Sequence, residues 1–169
     1  STQITLNHDP MLQTFWSGEG AGVFITKIGL FFKSKSATLP ISIDIRPSDQ
    51  IQYTNVGNYI LPGSEVTLNS GDVSVSDDAT SETVFEFDEP IYLIPKKAYA
   101  VAITTSAGQD YQIWTSYLGD FVLGTTAERV TKDAVPGMLY RSAQGLGVKS
   151  EAIADLKINI YRARFKTTT

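Results

Sequence analysis

The chain has 169 residues, 42% hydrophobic and 19% charged, with a net charge of -4. Such a balance is too apolar for disorder and too interrupted for a membrane span, since the longest apolar run, Ala98 to Ile103, falls far short of the roughly 20 residues a bilayer requires. Basic residues are scattered apart from Arg162, Arg164 and Lys166, so no continuous path for a phosphate backbone exists and nucleic acid is not an expected partner.

The length suits one domain, residues 1–169, expected to be soluble and without membrane insertion. With no cysteine there are no disulfides and no thiolate metal sites. No basic segment followed by an apolar one reads as a signal peptide, and the Ser-Thr-Gln and Thr-Thr-Thr ends read as flanks of a module within a longer polypeptide.

Ile4 and Leu6 alternate briefly before Asp9-Pro10 interrupts, and Met11 to Trp16 resumes as a strand. Gly18, Gly20 and Gly22 form a turn into the most legible stretch of the chain, Gly22 to Pro47. There Phe24, Ile28, Leu30 and Phe32 predict one strand face, and Ile41, Ile43 and Ile45 a second, with Ser42, Asp44 and Arg46 opposite. The polar link Ser34 to Thr38 and Pro40 turn the chain over between them. Ser48 to Gly63 is long and polar, holds Tyr53 and Tyr59, and ends in the turn Leu61-Pro62-Gly63. Excursions of this length commonly carry function, so a partner contact is expected there.

Glu65 to Leu68 and Val73 to Val75 read as short strand pieces around Asn69-Ser70-Gly71. Thr83, Phe85 and Phe87 alternate up to an expected turn at Asp88-Glu89-Pro90, after which Ile91 to Leu93 resumes. In Ala98 to Ile103 one face holds Tyr99, Val101 and Ile103 and the other holds only alanine, which predicts a central strand with close packing on its alanine side. Tyr111 to Tyr117 reads as an aromatic strand entered from a turn at Gly108. Gly119 to Gly147 is irregular, and Thr125 to Lys132 is the one place where a short helix is conceivable. The last strand, Asp155 to Phe165, shifts phase after Ile160, which predicts a bulge. Many short strands with little helix predict an all-β, two-sheet antiparallel sandwich, jelly-roll-like in connectivity.

Catalytic chemistry finds little purchase. A Ser-His-Asp set would require His8, the sole histidine, in the N-terminal arm. Carboxylate pairs for glycoside hydrolysis could be drawn from Asp44, Glu86, Asp88, Glu89 and Asp110, but outward strand positions and turns supply the same residues in any sandwich. Gly18 to Gly22 leads into a strand and not a helix, so it lacks the N-terminal N–H groups that cradle phosphate. Asn69, Asp72, Asp77 and Asp78 offer oxygen ligands to calcium, yet Asx turns account for them equally well, and no metal or cofactor is expected. The candidates for a partner or glycan contact are the aromatics Trp16, Tyr53, Tyr59, Trp114 and Tyr117. The competing reading is that most of these rings complete the core.

Taken in order, DPMLQTFW (9–16), GVFITKIGLFFKSK (22–35), LPISIDIR (39–46), ILPGSEVTLNSGDV (60–73) and EPIYLIPKKAYAVAI (89–103) resemble a module of structural proteins in the tails of T4-like contractile bacteriophages, especially large baseplate wedge proteins. YQIWTSYLGD (111–120), GMLYRS (137–142) and DLKINIYRARF (155–165) fit the same pattern, so the resemblance covers nearly the whole chain. It implies a non-enzymatic module located in the virion that makes contacts with other virion structural proteins in a baseplate or tail-fibre-associated protein. The alternative is an adhesin-like carbohydrate-binding module with a surface glycan as partner.

Overall fold

The structure is a computed structural model describing residues 2–6, 10–48, 57–117, 136–142, 148–150 and 154–163. The described residues form two six-stranded sheets packed face to face. The front sheet contains β1 (Thr2–Thr5), β3 (Val23–Ser34), β6 (Glu82–Leu93), β8 (Gln112–Tyr117), β11 (Ala154–Leu156) and β12 (Ile158–Ala163). The back sheet contains β2 (Met11–Trp16), β4 (Ile41–Ser48), β5 (Val66–Leu68), β7 (Ala98–Thr105), β9 (Pro136–Ser142) and β10 (Val148–Ser150), in the order β10-β9-β2-β7-β4-β5. All of these ladders are antiparallel. Strands β2, β3 and β4, and then β6, β7 and β8, alternate between the sheets.

The link after β3 therefore crosses from one sheet to the other, and it is tied locally: Ser36 Oγ accepts from the backbone N–H groups of Thr38 and Leu39. Ile41, Ile43 and Ile45 of β4 point into the core and are fully buried, with Ile43 opposite Ile103 and Ile45 opposite Val101 on β7. From the front sheet Ile28, Leu30, Phe32, Phe85 and Ile113 meet them. The expected position of β7 holds, since it lies between β2 and β4, and Ala98, Ala100 and Ala102 on its outer side are buried. Asp44 shares that side and is buried as well, in a two-point ion pair with Arg46 (2.8 and 3.2 Å). A buried polar side chain joins the layers: Gln13 Oε1 on β2 accepts from Leu156 N on β11 at 2.8 Å.

Three local expectations are corrected. Phe24 does not share a face with Ile28, because Thr26 is an extra residue in β3 against β12: Lys27 pairs with Tyr161 and Ile25 with Arg162. Ile25 takes the core position and Phe24 turns outward. A bulge does fall beside the expected phase shift of the last strand, but its extra residue lies in β3, so β12 keeps its alternation and Tyr161 stays on the outer face instead of following Ile160 into the core. Asp88-Glu89-Pro90 is no turn; β6 runs through it, carrying Phe87 to Pro90 as an outswing between the Glu86–Lys27 and Ile91–Ile25 pairs. A proline is tolerated there because the ladder lapses at that point, on a strand that pairs with β3 alone among the described residues. Val73 to Val75 is not a strand: it follows a 3-10 turn, Ser70–Asp72, and makes a single parallel bridge from Val75 to Phe32. The turn at Leu61 to Ser64 is present, closed by Ser64 N donating to Leu61 O, with Gly63 at φ +80°. Thr125 to Lys132 lies outside the described residues.

Candidate interaction surface

Alternation along β3 sends Ile28, Leu30 and Phe32 inward and leaves Lys27, Gly29, Phe31 and Lys33 on the outer face of the front sheet. In register, Lys27 stands between Glu86 of β6 and Tyr161 of β12, and Gly29 between Val84 and Asn159. Having no Cβ, Gly29 makes room for the side chain of Glu82, whose carboxylate a Cβ would overlap. Glu82 thus reaches across β3 from β6 to β12, where its oxygens accept from Tyr161 Oη at 2.7 Å and from Asn159 Nδ2. Burial, and then the anionic Glu82 acceptor, push the Tyr161 phenol up to about 12. Lys27 Nζ lies 4.6 Å from the centroid of the Tyr161 ring.

Farther along the same face a loop forms a strap over Phe31 and Trp114. Ser76 N donates to Phe32 O, Trp114 Nε1 donates to Ser76 O at 2.9 Å, and the buried Ala79 packs on both rings in a left-handed conformation (φ 59°). Lys157 donates to Ala79 O and lies 4.3 Å from the Phe31 ring centroid, while Lys33 lies 5.4 Å from that of Trp114. Within the strap, Ser76 Oγ accepts from Thr80 N and Ser81 N. The Thr80 hydroxyl donates to Asp78 Oδ1 at 2.6 Å and holds that carboxyl below the usual carboxylate range.

One flank of this face is the outer edge of β6. Glu86, Asp88, Glu89 and Pro90 are exposed along it, and at its far end Tyr92 and Ile94 remain 50% and 54% exposed. The Tyr92 ring packs 5.1 Å from that of Phe24, the residue the Thr26 bulge turned outward.

The aromatics singled out in the sequence are not brought together. Trp114 is 6% exposed, with its indole N–H occupied by Ser76 O, so it belongs to the strap and is no contact ring; this corrects its candidacy. Trp16 is half-buried on the back sheet and donates to Glu19 Oε1 at 3.2 Å. Tyr59 is 60% exposed near the Leu61 turn. Tyr53 lies outside the described residues, and so does the ring of Tyr117, whose backbone pairs with Ala154 in β8. The sequence reading missed Lys27, Tyr92, Ile94 and Tyr161. The outward spacing of Lys27, Phe31 and Lys33, in antiphase to the core residues, is the signal that carried part of this face.

His8 lies outside the described residues. Asp44 is held by Arg46 on the back sheet, while Glu86, Asp88 and Glu89 line the edge of the front sheet, so Asp44 is not grouped with the other three. Among the described residues no three or more His, Cys, Asp or Glu side chains are grouped as for a metal ion. Among them, too, no helix is long and apolar enough to cross a membrane. Comparison with protein-family models, with curated proteins and with solved structures finds no match.

Proposed function

We propose that the chain is a non-enzymatic structural module of a bacteriophage tail baseplate or tail-fibre-associated protein, located in the virion and joined to other virion structural proteins. The observation that carries an assembly role is the apolar far end of the β6 edge, where Tyr92 and Ile94 stand exposed beside a strand paired on one side only among the described residues. A glycan platform requires several rings on one exposed face. Here Trp16, Tyr59 and Tyr92 belong to different elements, and Trp114 is covered. The bacteriophage setting rests on the sequence resemblance.

The test is a Tyr92→Ser, Ile94→Ser variant compared with the unaltered chain. Both side chains are half exposed, so thermal melting should change little, whereas co-purification with tail or baseplate proteins identified by mass spectrometry should fall. Normal assembly of the variant, together with retention of the unaltered chain on a glycan array, would replace this reading with the carbohydrate-binding one.

A further inference from the structure

We infer that the outer face of β3 and β12 is a docking surface for an extended segment of a neighbouring protein that carries spaced carboxylates, with Lys27, Lys33 and Lys157 as the recognising groups. The inference rests on the assembly reading and names the surface and the chemistry of its partner. All three ammonium groups lie over aromatic rings, Lys27 on Tyr161, Lys33 on Trp114 and Lys157 on Phe31. None of the three is in a salt bridge among the described residues, where the ion pair is Asp44 with Arg46. Ring contact restrains each lysine stem without placing its charge in a salt bridge, although Lys157 also donates to Ala79 O. In a chain of net charge -4 this gathers three cations that stand outside any salt bridge among the described residues, with Glu86 as the register neighbour of Lys27.

Glu82, on the same sheet, is already engaged, since both its oxygens accept from Tyr161 and Asn159 accounts for one of them as well. A partner carboxylate meeting Lys27 or Lys33 would gain a charge pair without breaking one already made. Spacing decides the class of partner. Lys27 and Lys33 are six positions apart on β3, about 20 Å at a rise of about 3.3 Å per residue, and the exposed Glu86 stands directly opposite Lys27. A continuous polyanion would set charge against Glu86, as nucleic acid carries a phosphate charge about every 1.7 Å of duplex. A polypeptide can place acids opposite the lysines and neutral residues opposite Glu86.

The probes are an alternating Glu-Thr peptide, its Gln-Thr counterpart and oligo-dT, each titrated into the isotope-labelled chain at low salt. The Glu-Thr peptide should shift amide resonances of β3 and β12 and should weaken steeply with added salt; the Gln-Thr peptide should not bind. Lys27→Gln with Lys33→Gln should weaken the Glu-Thr peptide at least about tenfold, and Lys27→Arg with Lys33→Arg should retain it, which keeps the test decisive if the Gln variant unfolds. Equal binding of the Gln-Thr peptide, tighter binding of oligo-dT, or shifts confined to the back sheet would each overturn the inference. A Gln variant that folds and enters its assembly normally would overturn the assignment of this face and leave the assembly reading standing. A neutral glycan bound in place of the acidic peptide would overturn both.

Discussion

Ile43 and Val101 show how directly alternation converts to burial: each lies mid-strand, on the more apolar side of its segment, and each is fully buried between the sheets. Truncation of either to alanine should cost about 2 to 4 kcal/mol, the lost transfer energy plus a cavity, read as a lower midpoint in denaturant titration with an unchanged slope. The Glu82–Tyr161 contact depends on two features that no alternation encodes, a missing Cβ at Gly29 and a bulge at Thr26 that aligns β12. Its consequence is measurable by ultraviolet titration: Tyr161 should ionise near 12, well above an ordinary tyrosine. Between the ordinary value and about 12 the unfolded chain has lost this proton and the folded one keeps it. The stability tied to this group is therefore complete below pH 10 and lost as pH rises toward 12. Glu82→Gln should lower the Tyr161 midpoint without normalising it, because burial, the larger cause, persists.

Among the strands, β6 departs furthest from its sequence reading. Asp88-Glu89-Pro90 has the composition of a turn, and in isolation it would be one. What keeps the strand continuous is β3, which pairs with β6 on both sides of the outswing and so fixes the direction of the chain through it. The same outswing, with its acids and proline, keeps a long free edge from recruiting another strand. Replacing Glu86, Asp88 and Glu89 with threonine should leave the core unchanged but promote self-association, visible in size-exclusion chromatography as earlier elution with rising concentration. A monomeric elution profile at all concentrations would show that these charges do not guard the edge.

At the scale of the whole molecule the fold is held by one core between two sheets and by a polar crossing, the Gln13 contact to Leu156 N, with no described metal group. The acids near Asn69 to Asp78 are exposed, and Asp78 is already served by Thr80, so a chelator should leave the melting temperature unchanged; a fall reversed by calcium would place an ion there. The all-β class, the faces of β4 and β7 and the turn at Ser34 to Pro40 were legible because each follows from residues adjacent in sequence, through period-two alternation and turn chemistry. Trp114 as a strap-covered ring, Phe24 facing outward beside Tyr92, and Lys27 resting on Tyr161 were not legible. Each joins residues that are distant in the chain, and a shift of one residue at Thr26 reverses which side chains face the core. Sequence by itself thus determined that this chain builds two sheets and which residues of β4 and β7 lie between them, because burial of a regularly alternating face is a local property. Only the tertiary structure decided which rings and charges share the outer surface, because strand neighbours and register are set by packing between segments remote in sequence.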